Sequence, residues 1–242
     1  MCERFVIPDP TEVEREFRVA DAWWKFTACF NVAPGRPTPI VRLYEGRSEG
    51  VMLRWGLVPD WAEGDERKGC ARQGRVEDLT HCPLLSGAWA RGRRCILPVR
   101  GFYAWRLTAQ RYRQPYYVRL AHRPVFGVAA LWDRTVLEDD DDVIETCAIV
   151  TVPANALICE LDAPRSRMPA ILSRDDYEAW LGAPPAEAAA LLRTCAPEAM
   201  LAHAVSPRVN SLKYDDPALT APVTPYGEDV LAAPRWGQHA AA

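Results

Sequence analysis

The chain has 242 residues, of which 49% are hydrophobic and 25% are charged, and this composition excludes disordered and fibrous proteins. The formal net charge of −3 argues at first against a nucleic-acid partner, but residues 79–132 contain nine Arg and no Asp or Glu. A basic block of this kind attracts phosphate groups. The same enrichment also fits arginines on solvated strand faces, and both interpretations stay open at the level of composition.

The predicted elements run from an N-terminal helix through a strand-rich region to two C-terminal helices. Residues 11–19 are predicted to be a helix that begins at a Thr cap. Short apolar or alternating runs then predict eight strands: 39–43, 50–57, 94–97, 101–105, 115–120, 125–131, 146–152 and 168–171. Residues 173–181 open with a capping-box pattern of Ser173 and Asp176, and residues 185–195 form an Ala-rich helix. Because strands and helices do not alternate, we predict an α+β fold.

We expect one domain over residues 1–225 and a loose tail at 226–242. The N-terminus has no apolar signal segment, and no run approaches the ~18 apolar residues of a membrane span. The eight Cys include no C-x-x-C pair, which argues against a zinc ribbon or a thioredoxin motif. We therefore expect a cytoplasmic monomer with reduced thiols, no membrane contact, no metal and no cofactor.

Six motifs occur in order along nearly the whole chain. They are M-C-E-R-F (1–5), F-N-V-A-P (30–34), W-G-L-V-P-D-W-A (55–62), R-C-I-L-P-V-R-G-F-Y-A-W (94–105), R-M-P (167–169), and V-S, V-N and D-D-P within 205–217. This ordered set resembles the SOS response-associated peptidase family, whose members are abasic-site processing proteins. The resemblance implies a bifurcated, antiparallel-rich β-sheet around a small closed barrel, flanked by helices.

The resemblance also implies binding of single-stranded DNA at abasic sites and a covalent link through Cys2 after removal of Met1. An α-amine has a pKa of about 8, so part of it is neutral and nucleophilic at physiological pH. The amine can form a Schiff base with the aldehyde of the ring-opened sugar, and the thiol can then close a thiazolidine ring. Both nucleophiles belong to one residue, which supplies proximity.

Three polar positions that assist this chemistry in the resembling family are substituted here. The Asn of its N-A-R-x-E-T motif falls on Gln73, the Glu of G-F-Y-E-W on Ala104, and the His of H-x-R-M-P on Arg165. Ala104 cannot act as a general acid and Arg165 stays protonated, so about 10²–10⁴-fold of acid–base help is expected to be lost. A shifted alignment onto residues 70–72 leaves no Glu in register. Four acids near the motifs are candidate replacements: Glu77, Asp78, Glu160 and Asp162.

The resemblance places the DNA-binding surface on Arg75 and Arg167, whose counterparts grip phosphates beside the lesion. Arginine suits this role because its planar fork binds phosphate in a bidentate manner. Side chains that can stack on splayed bases or wedge between them are further candidates: Trp61, Trp105 and Pro34. Thr151 lies in a T-x-x-A-N stretch similar to the family's strand near the site, and a structural role is equally expected there.

Three functions follow from these residues. The first is an active abasic-site processing protein that crosslinks through Cys2 and also has autoproteolytic peptidase activity. The second is a degenerate member that binds single-stranded or damaged DNA without efficient catalysis. The third is a small-molecule or peptide hydrolase that uses Cys2 on the same fold. The substitutions that place Ala104 and Arg165 at these positions favour the second function over the first, because they remove acid–base groups.

Overall fold

The computed structural model describes residues 4–62, 70–136, 143–162 and 167–225. The strands within these ranges are β1 (Phe5–Ile7), β2 (Asp21–Ala22), β3 (Cys29–Val32), β4 (Pro37–Tyr44), β5 (Arg47–Trp55), β6 (Gln73–Arg75), β7 (Arg94–Val99), β8 (Gly101–Leu107), β9 (Arg113–Leu120), β10 (Phe126–Val136), β11 (Val143–Pro153), β12 (Arg167–Pro169) and β13 (Met200–Ala204). The α-helices are α1 (Pro10–Phe17), α2 (Ser86–Ala90), α3 (Ala156–Leu161), α4 (Tyr177–Gly182) and α5 (Pro185–Ala190). None of the helices in the described ranges is long and apolar enough to cross a membrane.

Five strands close into a small barrel in the order β5-β4-β7-β10-β11. Neighbouring strands pair antiparallel around this ring, except at the seam, where β11 pairs parallel with β5. The seam is short and joins Thr146 and Cys147 to Arg54 and Trp55. Closure leaves no free edge between these five strands, and their inward side chains form the main hydrophobic core.

A second sheet with the order β13-β9-β8-β1-β3 is antiparallel throughout. Successive side chains of a strand point to opposite faces, and β8 shows the consequence. Phe102 and Ala104 belong to the main core, whereas Tyr103 lies in a second apolar cluster with Val205 and Val209. The helix α3 packs against both β8 and β12, and it therefore connects the two sheets.

The predicted α+β class and the barrel are confirmed, and each of the eight predicted strands overlaps an observed one. The predicted helix starts were wrong at two places. Helix α1 is capped by Asp9 rather than Thr11, because Asp9 and Glu12 form the reciprocal capping box and Pro10 takes the first helical position. Ser173 makes no side-chain cap, and residues Arg174–Asp176 form a 3-10 turn before α4. The third predicted helix ends at Ala190 instead of residue 195.

Much of the basic block of residues 79–132 is neutralised by acids from outside it. Four of its arginines form ion pairs with such acids: Arg91 and Arg93 with Asp133, Arg100 with Glu12, and Arg123 with Glu16. A fifth, Arg94, is buried and donates to the backbone carbonyls of Trp180 and Ala183, and burial lowers its pKa. The other four arginines of the block, Arg106, Arg111, Arg113 and Arg119, lie on β8, on β9 and in the turn between them.

Candidate functional site

The C-terminal part of β11 is the centre of the candidate site. Strand β6 pairs parallel with β11 on one side, and β12 pairs antiparallel on the other. Thr151 stands opposite Arg75 in one pairing and opposite Pro169 in the other. This arrangement places two sequence-predicted residues, Arg75 and Thr151, at adjacent positions of neighbouring strands, with Arg167 at the start of the third.

A hydrogen-bond network fixes the Arg167 side chain at this edge. Its guanidinium donates to the carbonyl oxygen of Thr151 over 2.6 Å and to a carboxylate oxygen of Glu77 over 2.8 Å. The Thr151 hydroxyl in turn donates to the carbonyl oxygen of Gly74 over 3.1 Å. The hydrogen bond from Arg167, assisted by the charge of Arg75, holds the pKa of Glu77 below its usual range. Arg167 thus ties β12, β11 and the turn after β6 together.

Arg75 differs from Arg167 in its surroundings. Its side chain is exposed, and it forms no ion pair or side-chain hydrogen bond with the described part of the chain. Gln73, two residues earlier on β6, is partly buried, and its backbone stands opposite Ile149. Of the two predicted phosphate ligands, Arg75 is the more exposed, and no carboxylate of the described residues lies within ion-pair distance of its guanidinium.

Position 104 presents an apolar surface on β8. Ala104 has no exposed surface and lies in the main core, on the same face as Phe102. Its neighbour Trp105 points to the opposite face, where the indole N–H donates to the side-chain oxygen of Asn210 over 2.8 Å. Trp105 packs beside the second apolar cluster with its ring partly exposed. Ala104 and Trp105 therefore serve different faces of the strand.

The two remaining family-matched positions, Cys2 and Arg165, lie outside the described residues. Two residues after Cys2, Arg4 is fixed by hydrogen bonds to the side-chain oxygen of Asn31 over 2.7 Å and to the carbonyl oxygen of Val209 over 2.9 Å. The Asn31 amide donates to three backbone carbonyls between Val209 and Tyr214. Arg4 and Asn31 therefore fasten the first described residue to the C-terminal segment.

Pro34 and Trp61 sit in loops rather than on strands. Pro34 occupies the second position of a turn in which the Arg36 N–H donates to the Ala33 carbonyl over 3.3 Å. Gly35 follows with φ of +86°, the combination that a type II turn requires. Trp61 is 55% exposed, as a stacking surface needs to be.

Trp55, which was not among the predicted site residues, is buried in the main core and also links two loops of the site. Its indole N–H donates to the carbonyl oxygen of Arg72 over 2.7 Å, and its backbone carbonyl accepts from Gly35 over 2.7 Å. Trp55 thus connects the Pro34 turn to the residue that precedes β6. The W-G-L-V-P motif contains it, but no sequence signal distinguishes a linking Trp from a merely packed one.

The four candidate replacement acids have different surroundings. Glu77 is engaged by Arg167, and Asp78 and Glu160 are exposed. Asp162 is 6% exposed and follows α3 as its C-terminal cap residue, on the helix that packs against β8. It is the single buried carboxylate of this set.

A further carboxylate, Asp215, lies beside β3 and was not singled out from the sequence. It accepts hydrogen bonds from the backbone N–H of Phe30 and from the thiol of Cys29. Burial, followed by the contact with Asp215, raises the pKa of Cys29 to about 11. The D-D-P motif contains Asp215, but the motif alone does not reveal its partner.

The described residues hold no group of three or more His, Cys, Asp and Glu side chains able to bind a metal ion. Their seven cysteines are free thiols, and burial raises the pKa of Cys147 to about 12. Cys29 and Cys147 are therefore protonated at neutral pH, and a protonated thiol is a poor nucleophile.

Comparison with known proteins gives consistent matches. The family described as SOS response associated peptidase (SRAP) matches residues 1–212. The chain is 28% identical over 227 residues to the abasic site processing protein YoqW of Bacillus subtilis (strain 168), covering 90% of this chain and 98% of that protein. It is 28% identical over 205 residues to the abasic site processing protein HMCES of Gallus gallus, covering 73% of this chain and 59% of that protein.

Two crystal structures share the fold. A protein from Bacteroides thetaiotaomicron superposes with a TM-score of 0.72 at 26% identity, covering 81% of this chain and 85% of that chain. A protein from Bordetella bronchiseptica superposes with a TM-score of 0.75 at 21% identity, covering 85% of this chain and 100% of that chain. The second similarity concerns the fold alone.

Proposed function

This chain belongs to the SOS response associated peptidase (SRAP) family, and we propose that it binds single-stranded DNA at abasic sites and links to them through Cys2. The relatives described above are named abasic site processing proteins. The observation that supports the proposal best is the edge formed by β6, β11 and β12. Arg75, Thr151 and Arg167 come from distant parts of the sequence and meet there.

We assign different roles to the two arginines of this edge: Arg75 binds phosphate and Arg167 holds the edge in place. Arg75 is exposed and has no ion pair within the described residues, and its guanidinium can bind a phosphate in a bidentate manner. Both terminal nitrogens of the Arg167 guanidinium already donate within the protein, to Glu77 and to the Thr151 carbonyl, so we assign Arg167 as a positioning residue that holds the three strands of the edge together. A phosphate that reaches Arg167 has to compete with the Glu77 carboxylate.

The covalent step uses both nucleophiles of Cys2 once hydrolysis has removed Met1. The neutral amine attacks the aldehyde carbon of the ring-opened abasic sugar, and loss of water gives a Schiff base. The thiol sulfur then adds to the imine carbon while its proton passes to nitrogen, which closes the thiazolidine ring. Atoms and electrons balance without an oxidant or a metal. The anchoring of Arg4 by Asn31 and Val209 supports a fixed starting point for this segment.

A second function, DNA binding without efficient crosslinking, is favoured by one observation. Ala104 is fully buried in the main core, at the position where the resembling family has a Glu. No proton can be supplied from that side chain to the sugar oxygen. Binding through Arg75 is independent of this loss, so a protein of this kind can retain its DNA affinity.

The decisive experiment incubates the protein with a single-stranded oligonucleotide that carries one abasic site and resolves the products on a denaturing gel. Intact-mass measurement first establishes that Met1 is absent. We expect a shifted band that persists without reductant in the wild type and is absent from Cys2→Ala. The variant keeps the amine, so borohydride should still trap its Schiff base.

The possible results separate the functions. A persistent wild-type band missing from Cys2→Ala supports thiazolidine formation. Tight, salt-dependent binding with no band in the wild type, even after borohydride, overturns the covalent proposal and supports the binding protein. Absence of both binding and crosslinking overturns both functions.

A further inference from the structure

The turn between β8 and β9 and its flanking strand ends carry a cluster of arginines close together in sequence. Residues 106–113, here called the basic hairpin, contain three arginines and no acid. In the described ranges Arg106, Arg111 and Arg113 form no ion pair, in contrast to the arginines elsewhere in the block that bind Asp133, Glu12 and Glu16. Within the described residues, no acid neutralises the positive charge of the hairpin.

The basic hairpin is held in one conformation by its own hydrogen bonds. The Thr108 N–H donates to the Tyr112 carbonyl over 2.8 Å, and the Arg111 N–H donates to the Thr108 carbonyl over 2.9 Å. The Thr108 hydroxyl accepts from the Tyr112 N–H over 3.2 Å. A fixed turn presents its side chains without the entropic cost of ordering a flexible loop on binding.

Arg111 occupies a backbone conformation that arginine rarely adopts. Its φ is +60°, in the left-handed region where Gly or Asn is the unstrained choice. Arg18 and Glu45 share this region with φ of +50° and +48°, so the conformation alone does not mark a functional residue. The Arg111 side chain is exposed, so packing does not explain why arginine stands there.

The basic hairpin continues strand β8, which carries position 104. Arg106 lies two strand residues beyond Ala104, which corresponds to about 7 Å. Leu107 is 56% exposed on the same face as Trp105, and Arg113 stands opposite it in the strand pair. An apolar side chain beside an unpaired arginine matches the combination of base and phosphate that a DNA strand offers.

We propose that the basic hairpin holds the sugar–phosphate backbone of the DNA strand that enters the candidate site. The inference rests on the proposed function, because it takes the ligand of that site to be DNA. The charge of the hairpin, its rigidity and its position beside β8 together favour a backbone contact over recognition of base sequence, since phosphate contacts position a strand without reading it.

The test measures fluorescence anisotropy of an undamaged single-stranded oligonucleotide with the full chain, as a function of salt. Both triple variants below are made in a Cys2→Ala background. We expect Arg106→Gln/Arg111→Gln/Arg113→Gln to weaken binding about tenfold or more and to make the slope of log K against log salt less negative by about 2, since each phosphate contact on a single strand contributes roughly 0.7.

The matched control removes three exposed arginines far from the site, Arg15→Gln/Arg18→Gln/Arg134→Gln, with the same change in net charge. The control should keep the wild-type slope. Equal slopes in the two triple variants overturn the inference, whatever the crosslinking gel shows. A less negative slope in the hairpin variant, with an unchanged slope in the control, supports the inference even if the wild type forms no crosslink.

A single substitution tests the same contact in a protein that is expected to stay folded, in case the triple variant is unstable. Arg111→Gly removes one charge and relieves the left-handed conformation, so we expect an unchanged or higher melting temperature together with a slope less negative by about 0.7. A stable Arg111→Gly protein with wild-type affinity and slope overturns the role of Arg111 in DNA contact.

Discussion

The edge beside β11 and position 104 on β8 differ in polarity. Beside β11, Arg167, Glu77 and Thr151 satisfy one another through hydrogen bonds at a partly exposed edge. On β8, position 104 faces the main core and carries a methyl group. A paired polar network at an edge costs little stability, whereas an unpaired carboxylate in an apolar core destabilises the fold, a cost that proteins retain where activity needs the group. The contacts of Arg167, Glu77 and Thr151 therefore do not depend on which side chain stands at position 104.

The largest expected effect comes from restoring a carboxylate on the apolar side. Ala104→Glu should lower the free energy of unfolding by about 2–4 kcal/mol, because a charged group enters the core. Burial should also raise the pKa of the new carboxyl above its usual range, which suits a general acid at neutral pH. We expect crosslinking to accelerate by about 10²-fold, measured as the rate of band formation on the denaturing gel.

The control for this variant is Ala104→Gln, which has nearly the same size but no ionisable group. It should share part of the destabilisation without the rate gain. The raised pKa means that the folded state favours the protonated Glu, so the stability deficit of Ala104→Glu should shrink as the pH falls. An equal rate in both variants would show that position 104 does not face the reacting sugar.

A smaller effect is expected on the polar side from Arg167→Gln. The variant loses hydrogen bonds to Glu77 and Thr151, and we expect it to be less stable by about 1–2 kcal/mol. Arg167 lowers the pKa of Glu77, so their pairing stabilises the fold above the unfolded pKa of Glu, about 4.3, and this contribution disappears as the pH falls through the lower folded value.

The corresponding measurement is denaturant unfolding of the wild type and Arg167→Gln at pH 7 and at pH 3. The stability difference between the two proteins should be smaller at the acid pH. A difference that is independent of pH would assign the effect to the bond with the Thr151 carbonyl rather than to the ion pair.

The smallest effect on stability is expected from Arg75→Gln, because the exposed Arg75 binds no described acid. Its unfolding free energy should stay within about 0.5 kcal/mol of the wild type. DNA binding should weaken a few-fold, with a salt slope less negative by about 0.7. Arg134→Gln is the matched control. If Arg75→Gln destabilises the protein as much as Arg167→Gln, the division between a binding and a positioning arginine is wrong.

Pattern and motif spacing predicted the fold class and the strands, because hydrophobic alternation reports directly on burial. The exact ends of helices were harder to predict. Asp9 and Thr11 are both residue types that cap helices, and only the position of Pro10 selects Asp9. The basic block misled for a different reason. Acids such as Glu16 and Asp133 lie outside the block in sequence, and folding brings them onto its arginines.

The site was predictable as a set of residues but not as a set of contacts. Alternation along β8 predicts that Ala104 and Trp105 face opposite ways, yet it does not say which face is the core. The pairing of Glu77 with Arg167 joins residues that are 90 positions apart, and it depends on β6 and β12 flanking the same strand. That adjacency follows from the barrel seam and has no local signal.

The position of β11 also has a consequence for synthesis of the protein. This strand closes the barrel against β5 and receives both β6 and β12, so the edge that contains Arg75 is incomplete until residue 169 has left the ribosome. At about 5–20 residues per second, that moment comes roughly 10–30 s after Cys2 emerges. A nascent chain thus carries its proposed nucleophile well before it has a place to hold a DNA strand.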